Sequence, residues 1–417
     1  MKCSETPDAN QECTAGTGGV GYNPAMSMLN GIRVVELTEA LAGPYSAMML
    51  GDMGADVIKV ERPGSGDQSR SWGPPFVGTE SAYFLATNRN KRSIALNYDE
   101  AQGGEILRRL LARADVFLCN QPSLESLKRR GLDPGTLRAN FPRLIYCSVT
   151  GYGFSGPKAG QPGYDILAQG EAGVMSITGE PDGGPMRFPI AIADMTTGLY
   201  ATIGILGALY ARERTGRGDY LDMALLDSQL TWLANVGSNY LNAGAVPERL
   251  GNAHPSIVPY QLFRGSDEKY FVVGVGTQAL WTRLVKLMDA QEIAGDERFA
   301  SNPARIAHRE VLIPKLQEYF SRRTAAEWQA RLAAADIPTA AIHTVAEALE
   351  FPQCLARGMV VEIAHPTLQK VRSIANPVKS AEHAIEYRLP PPLLGEHTEE
   401  IVKELGFSES AMEARTG

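Results

Sequence analysis

The sequence predicts an α/β protein built on a parallel, doubly wound sheet. In the N-terminal half, short segments rich in Val and Ile alternate with helix-like segments of about 10–15 residues, which is the pattern of successive βαβ units. The 417 residues are 44% hydrophobic and 21% charged, which provides enough apolar material for a sizeable core. The 42 Gly and 26 Pro follow no repeating period, which indicates many tight turns.

The first elements form a compact βαβ unit. A strand is predicted over residues 32–37, and Pro44 then stands where a first helical turn begins, ahead of a helix over 46–52. Gly54 ends that helix, and a second strand covers 55–61. A crossover of this length makes the two strands parallel. The same alternation predicts strands over residues 93–97, 115–119 and 144–149, and helices over 100–114, 124–130 and 136–140.

The middle of the chain departs from this alternation. A long helix is predicted over about 195–214, with small residues at Gly198, Ala201, Gly204 and Gly207 that let another backbone approach closely. A strand over 220–224 follows. Residues 226–335 read as helices with one strand over 270–275, which predicts a smaller second domain. The tail after residue 336 is predicted to contain few strands and to end in a helix near 398–405.

Composition excludes several classes of function. The formal charge of −7 and the lack of a basic stripe argue against general nucleic-acid binding. Five scattered Cys without a CxxC pair fit a reducing compartment, and the six His form no HExxH motif, so no metal site is expected. Residues 1–28 are expected to be a disordered extension rather than a targeting signal. We therefore expect a cytoplasmic protein (mitochondrial if the source is eukaryotic) with no membrane span, because the apolar stretch 198–210 is too short.

Common nucleotide and hydrolase motifs give no lead. Residues 16–21 match GxGxxG literally, but they follow no predicted strand and open no predicted helix. The sequence contains neither a Walker A motif nor a GxSxG nucleophile elbow. A dinucleotide site and an α/β-hydrolase are therefore not expected.

Asp194 and Asp165 are the candidate catalytic carboxylates. Asp194 lies between an apolar, strand-like segment and the long helix, where an Asp would cap the helix N-terminus. The same placement would keep its pKa low and aim an ionised carboxylate into a cleft, where it could attack a thioester or anhydride. Asp165 follows a Gly-rich loop; it is either a turn residue or a second acid/base group paired with Asp194.

Three basic clusters in the N-terminal half could converge on phosphates. They are Arg62 at the end of the second strand, residues 89–92 (RNKR) and residues 128–130 (KRR). The alternative is that each is a solvated surface.

An ordered series of motifs resembles the class III CoA-transferases. The series consists of LNGIRVVEL (29–37), LAGP (41–44), GADVIKVERPG (54–64), NKRSI (90–94), TGYG (150–153), TGRG (215–218) and LGEHT (394–398). It covers residues 29 to about 406. Three further segments resemble the glutarate/hydroxymethylglutarate branch that uses succinyl-CoA: WGPPFVGTES (72–81), IYCS (145–148) and HPSIVPYQ (254–261).

The resemblance leaves a transferase and an α-methylacyl-CoA racemase to be separated. The racemases carry a His–Asp pair with the His in a GHD motif, whereas this chain has Tyr164 at that position. A phenol with a pKa near 10 is poorly suited to moving an α-proton at neutral pH. The substitution favours a transferase, with a racemase or isomerase as the alternative and a non-catalytic CoA-binding protein as a third reading.

The resemblance also implies a mechanism and a set of contacts. Asp194 would form a mixed anhydride with the donor acyl group and then an aspartyl-CoA thioester, with the CoA thioester as substrate and no prosthetic group or metal. The implied CoA contacts are Leu41, Ala42, Arg62, Leu96, Asn97, Asp99, Asn120, Arg129 and Tyr164, next to Asp165. Candidates for the distal carboxylate of a dicarboxylic acid are Arg70, Arg187, His254 and Tyr260.

The family resemblance further implies an unusual architecture. A large Rossmann-like domain would be built from residues 29–225 and 336–417, with a small α+β domain over 226–335 inserted between them. Each ring-shaped chain would interlock with a second copy to form a homodimer. Its partners would otherwise be small acyl-CoA and carboxylic acid substrates, with no nucleic acid or membrane.

Overall fold

A computed structural model describes residues 27–407. Its centre is a six-stranded sheet in the order β5-β2-β1-β6-β7-β8, and every pairing within it is parallel. The predicted α/β class with a parallel sheet is therefore confirmed. In chain order the strands are β1 (Arg33–Leu37), β2 (Asp56–Glu61), β3 (Phe76–Val77), β4 (Glu80–Ser81), β5 (Lys91–Ala95), β6 (Val116–Cys119), β7 (Ile145–Thr150), β8 (Tyr220–Ala224), β9 (Tyr260–Arg264), β10 (Tyr270–Gly274), β11 (Thr339–Ala341), β12 (Val360–His365) and β13 (Gln369–Ile374).

Helices cover both faces of this sheet. In chain order they are α1 (Ala42–Asp52), α2 (Ala82–Thr87), α3 (Ala101–Ala112), α4 (Leu124–Arg129), α5 (Pro134–Asn140), α6 (Asp165–Glu171), α7 (Val174–Ile177), α8 (Ile192–Thr215), α9 (Leu225–Leu230), α10 (Ala234–Ala243), α11 (Gln278–Met288), α12 (Gln291–Ala294), α13 (Asn302–Ala307), α14 (Arg309–Phe320), α15 (Ala325–Ala334), α16 (Val345–Glu350), α17 (Pro352–Ala356) and α18 (Thr398–Glu404). The core on one face joins the sheet to α1 and α8, and the core on the other joins it to α3 and α18. Alternate residues of β1 point to opposite cores: Val34 to the first, Val35 to the second.

Helix α8 crosses the sheet against α1. A Cβ atom at Gly198 would lie 2.6 Å from the carbonyl oxygen of Ala42, so only Gly permits this close approach. The predicted close packing is therefore confirmed at Gly198, whereas nothing lies within 4 Å of a Cβ at Gly207. Among the described residues α8 is the one helix long and apolar enough to cross a membrane, and 56% of its most apolar window is buried inside the protein. Such burial is typical of a core helix.

A second, smaller sheet has the order β11-β10-β9 and antiparallel pairings. It packs with α11, α14 and α15 around a separate core that includes Phe271, Trp281 and Phe320. Strand β11 joins this sheet although it lies beyond the predicted domain boundary at residue 335.

The tail after residue 336 contains more strand than the sequence predicted. Strands β12 and β13 form an antiparallel hairpin with Ile363 opposite Val371. The expectation of a strand-poor tail was wrong because charged and polar residues interrupt the apolar ones in both strands and only alternate side chains in part of each strand are buried, so the strands lack a continuous apolar run.

The last segment of the described chain returns to the large sheet. The backbone N–H of Asn90 donates to the carbonyl of Leu389, and that of His397 donates to the carbonyl of Ser93. Helix α18 then places Glu404 against Arg92 at 2.7 Å. The C-terminal segment therefore stabilises β5, the edge strand of the sheet.

Candidate active site

Asp194 lies in the first turn of α8 and not at its N-cap. The helix begins at Ile192, and Ala191 occupies the cap position without a side-chain hydrogen bond. The segment before it is an exposed, irregular loop, so the strand-like reading of residues 187–194 was wrong. Pro189 interrupts that apolar run and removes a backbone donor that a strand would need.

Asp165 supplies the cap that α8 lacks. It is buried at the start of α6, and its Oδ1 atom accepts a hydrogen bond from the backbone N–H of Ala193 at 2.8 Å. Its Oδ2 atom accepts one from Nε2 of Gln169 at 2.6 Å. The structure therefore brings Asp165 next to the turn that carries Asp194, as their predicted pairing requires.

A cavity of about 290 Å³ opens beside Asp194. Its walls come from the loops that follow β1, β6 and β7, together with the loop before α6 and the segment after β2. Because the carboxyl ends of parallel strands meet at one edge, this is where an open α/β sheet places its ligand site. The lining residues are Glu39, Ala40, Leu41, Ala42, Arg62, Gln68, Trp72, Asn120, Gln121, Pro122, Val149, Thr150, Gly151, Pro162, Gly163, Tyr164, Asp194 and Leu225.

A second cavity, of about 530 Å³, adjoins the first. The two share Glu39, Arg62 and Gln68 in their walls, and the second one is completed by the turn 64–66 and by Arg70 and Ser71. We call the two adjoining cavities the channel; Asp194 lies in the wall of the first cavity and not of the second. Adjoining cavities of this kind suit a long substrate whose reactive end lies in only one of them.

Burial raises the pKa of the Asp194 carboxyl to about 7, and the charge of Asp165 adds to the effect. The expectation of a low pKa was therefore wrong. The dipole of α8 favours the carboxylate, but removal from water and a like charge oppose it more strongly. The same two carboxylates act on Tyr83 of α2: burial comes first, and their charges then help to raise its pKa to about 12.

Arg62 is the cation in the wall shared by the two cavities. Its side chain is 61% exposed, and its Nε atom lies 3.9 Å from Oε1 of Glu39. Burial raises the pKa of the Glu39 carboxyl, as does the charge of Asp67. Asn120 fixes the backbone of Glu39 from both sides, since its Oδ1 accepts from the Glu39 N–H and its Nδ2 donates to the Glu39 carbonyl. This loose ion pair leaves Arg62 available to an anionic ligand.

The structure brings some of the predicted site residues to this cavity and not others. Leu41, Ala42, Arg62, Asn120 and Tyr164 line it with Asp194. The remaining predicted contacts lie outside its lining: Leu96, Asn97, Asp99, Arg129, Arg187, His254 and Tyr260. Leu96 is buried, Arg129 and Arg187 are exposed, and His254 contacts the ring of Tyr260 at 5.5 Å between centroids.

Arg70 is engaged by the protein itself. Its Nε atom lies 2.7 Å from Oε2 of Glu61, and its side chain is 11% exposed. The cluster 89–92 behaves in the same way, because Arg89 pairs with Asp52, Lys91 with Glu36 and Arg92 with Asp56. The idea that this cluster converges on phosphates was wrong, since its charges are neutralised inside the fold.

Several cavity residues were not predicted as site residues from the sequence. Glu39 stands in a loop, Gln68 begins a short 3₁₀ turn, and Trp72, noted only as part of the segment 72–81, follows that turn. Their convergence depends on the order of the strands. Gln169 had a weak local signal, because it lies one helical turn after Asp165 and the two therefore share a face of α6. Among residues 27–407, no group of three or more His, Cys, Asp or Glu side chains forms a metal cluster.

Comparison with known proteins gives concordant matches. The model of a family described as CoA-transferase family III matches residues 29–398. Succinyl-CoA:glutarate CoA-transferase of Mus musculus is 41% identical over 93% of this chain and 89% of its own length. Succinate--glutarate CoA-transferase of Agrobacterium fabrum is 42% identical over 90% of this chain and 95% of its own length. A crystal structure of a CAIB/BAIF family protein from Brucella suis superposes with a TM-score of 0.80 at 43% identity, covering 91% of this chain and 99% of that one.

Proposed function

The chain belongs to CoA-transferase family III, and we propose that it moves CoA from succinyl-CoA to a free dicarboxylic acid such as glutarate, hydroxymethylglutarate or itaconate. The observation that carries the proposal is the position of Asp194. It lies in the wall of the first cavity, on the first turn of a helix, where a carboxylate can meet a thioester carbonyl. The relatives that share the family support CoA transfer between acyl-CoA and dicarboxylic acids.

The proposed reaction proceeds through three species covalently bound at Asp194. The carboxylate attacks the donor thioester carbonyl, the C–S bond breaks, and CoA leaves as a thiolate beside a mixed anhydride. The thiolate attacks the aspartyl carbonyl, releasing the donor carboxylate and leaving an aspartyl-CoA thioester. The acceptor carboxylate attacks this thioester to give a second anhydride, and the thiolate then attacks the acceptor carbonyl to release the new acyl-CoA and free Asp194.

The environment of Asp194 suits this chemistry. A partly desolvated carboxylate is a stronger nucleophile than one in water, and a raised pKa increases its basicity. Because the attacking form is ionised and the pKa is about 7, transfer should slow as the pH falls below neutrality. The dipole of α8 favours the negative charge that develops on the carbonyl oxygen near its N-terminus.

The channel explains the binding of the phosphate end of CoA more directly than the binding of the acceptor acid. Arg62 stands where the two cavities join, so its guanidinium can reach a phosphate while the pantetheine arm extends inward past Leu41, Ala42 and Tyr164. For the distal carboxylate, Arg70 is held by Glu61, and His254, Tyr260 and Arg187 lie outside the cavity lining. The choice of acceptor acid is thus best tested by a panel of free dicarboxylates with succinyl-CoA as donor.

The test of the function is exchange with a defined donor and acceptor. Wild-type protein should form glutaryl-CoA from succinyl-CoA and glutarate, and Asp194→Ala should abolish the exchange. Normal turnover by Asp194→Ala would contradict the nucleophile assignment. Deuterium uptake at the α-carbon of a branched acyl-CoA without any acceptor would favour the racemase alternative, and CoA binding without a hydroxylamine-sensitive acyl-enzyme would favour a binding protein.

A second copy of the chain is the proposed partner. The outer face of α8 carries an exposed apolar stripe formed by Leu199, Tyr200, Ile203 and Tyr210. An apolar groove of about 670 Å³ lies along α10, where Tyr240, Leu241 and Val246 are exposed. Exposed apolar surfaces of this extent mark protein interfaces. Sedimentation velocity should give a dimer, and Ile203→Asp should shift it towards the monomer; a wild-type monomer would contradict this part of the proposal.

A further inference from the structure

The turn that carries Asp194 depends on a neighbouring helix for its cap. The first N–H groups of any α-helix lack partners within the helix, and a Ser, Thr, Asp or Asn at the cap position normally satisfies one of them. Ala191 cannot do so. The backbone N–H of Ala193, the residue directly before Asp194, instead donates to Oδ1 of Asp165 at 2.8 Å. Helix α6 therefore performs the capping of α8.

Gln169 extends this contact to the loop that enters α8. The side chain is fully buried, and Nε2 donates to Oδ2 of Asp165 at 2.6 Å. Its Oε1 accepts from the backbone N–H of Phe188 at 2.7 Å, and Nε2 also lies 3.4 Å from the carbonyls of Phe188 and Ile190. The Gln169 amide thus joins Asp165 to Phe188 and Ile190, the residues on either side of Pro189 in the loop. The path from α6 to the Asp194 turn is continuous: the hydrogen bonds of Asp165 to Ala193 and Gln169 are buried, and those of Gln169 to the loop are partly buried.

This arrangement leaves Asp165 poorly placed for acid/base chemistry on a substrate. Each of its carboxylate oxygens already accepts a hydrogen bond from the protein. The cavity wall is formed by its neighbour Tyr164 and by Asp194, and Asp165 is not part of the lining. Its charge nevertheless reaches Asp194 and contributes to the raised pKa there. Asp165 can therefore act on the reaction through position and charge.

We propose that Asp165 and Gln169 are positioning residues of the transferase: they fix the first turn of α8, and hence the position of the Asp194 carboxylate. They form no covalent bond with the substrates and transfer no proton to or from them. This inference rests on the proposed function. It assigns Asp165 a role different from the second acid/base group expected from the sequence. It also assigns a role to Gln169, which is not part of the lining of the Asp194 cavity.

The charged groups around Asp194 come from several elements. Asp165 faces it from α6 and Tyr83 from α2, while Glu39 and Arg62 stand in the wall of the same cavity. Helices α1 and α9 also pack against α8, but Asp52 of α1 is paired with Arg89 and Asp227 of α9 is exposed.

Two variants separate position from charge. Gln169→Met removes the amide of residue 169 but keeps the charge of Asp165. Asp165→Asn removes the charge and also one hydrogen bond. The new Asn amide can accept a hydrogen bond from either Ala193 or Gln169, but it turns an N–H donor towards the other one.

We expect kcat with succinyl-CoA and glutarate to fall about 10- to 100-fold in both variants, since small misplacements of a reacting group have effects of this size. The KM for succinyl-CoA should change little. Only Asp165→Asn should move the acid limb of the kcat/KM profile to lower pH, because it removes a like charge from Asp194.

Matched controls exist elsewhere in the chain. Gln317 clamps Arg264 of β9 through the same pair of amide hydrogen bonds, and Asp133 accepts from the backbone N–H of Thr136 at the start of α5. Gln317→Met and Asp133→Asn should lower the melting temperature without changing kcat or the pH profile. A merely structural role for Asp165 and Gln169 would make their variants behave like these controls, and would overturn the proposal.

Hydrogen exchange makes the result independent of turnover. Peptides covering residues 188–195 should exchange faster in Gln169→Met than in wild type, whereas Gln317→Met should leave them unchanged. Wild-type kcat in Gln169→Met together with a loss of activity in Asp165→Asn would assign Asp165 to acid/base chemistry and contradict our inference. Faster exchange in Gln169→Met than in wild type, together with a wild-type protein that transfers no CoA, would instead show that the clamp exists and that the proposed function fails.

Discussion

Two groups of buried carboxylates lie near one another in this protein, and they have opposite environments. Asp194 and Asp165 face each other near a cavity, with burial and like charge raising the pKa of Asp194 to about 7. In the second group, each carboxylate has a buried cation beside it. We call this group the buried ion-pair network; it consists of Glu36, Lys59, Glu61, Asp67, Arg70 and Lys91.

The ion-pair network holds the walls of the channel. Nζ of Lys59 lies 2.8 Å from Oδ2 of Asp67, whose Oδ1 accepts from the backbone N–H groups of Ala40 and Ser69. Burial opposes the ionised form of Asp67, but Lys59 and the hydrogen bonds of Ser69 outweigh it and lower the pKa to about 2. The comparison teaches that burial alone does not make a carboxylate reactive. A buried carboxylate paired with a cation holds the surrounding loops in place. A buried carboxylate without a cation has a raised pKa, which suits a nucleophile.

The largest effect on stability should come from breaking the network. Lys59→Met would leave Asp67 as a buried charge without its cation and would remove one of the two lysines beside Glu36, a loss that typically costs about 3–5 kcal/mol. Urea unfolding at neutral pH measures the change. As a control, Lys370→Met removes a pair with Glu362 that is 60% and 50% exposed, and it should change the free energy of unfolding far less. Equal losses in the two variants would contradict the structural role of the network.

The two groups should also respond oppositely to pH. The folded-state pKa of Asp194 lies above its unfolded value, so its contribution to stability is full below about pH 4 and is lost as the pH rises through about 7. Asp67 has a lowered pKa, so its contribution, about 2 kcal/mol, is present above about pH 4 and is lost as the pH falls through 2.

Substitution exposes this contrast. Asp194→Asn should make the protein more stable than wild type at pH 8, by a few kcal/mol at most, and the difference should vanish near pH 4. Asp67→Asn should make it less stable at pH 8, and its deficit should shrink only below pH 4. Unfolding curves recorded between pH 3 and 8 test both variants; two variants that shift stability in the same direction at pH 8 would break the comparison.

A smaller effect is expected at Arg62, which is exposed and only loosely paired. Arg62→Met should raise the KM for succinyl-CoA about tenfold, or ~1.4 kcal/mol, through loss of a charge-assisted contact to phosphate, and should leave kcat largely unchanged. Arg372→Met on β13 removes a side chain of similar exposure, 63%, and should have no kinetic effect. A fall in kcat without a change in KM would indicate that Arg62 does not bind the donor.

Sequence reasoning predicted the parallel sheet and singled out Asp194, which lies in the cavity wall, but it did not predict the electrostatics of this residue. The strands β1 and β2 and the helix between them follow from apolar runs bounded by Pro44 and Gly54, which are local signals. The pKa of Asp194 depends first on burial and then on Asp165, which is distant in sequence and close only after α6 and α8 pack. The basic cluster 89–92 was misjudged for the same reason, because its partners Asp52, Glu36 and Asp56 belong to other elements.

The central claim is that Asp194 carries CoA covalently during transfer. Protein mixed with succinyl-CoA and quenched in acid should gain the mass of one CoA less one water, and peptide mapping should place the adduct on Asp194. Hydroxylamine should remove it, and Asp194→Asn should form none while still binding CoA. An adduct on another residue, or full exchange without any adduct in a protein carrying Asp194→Asn, would contradict the account.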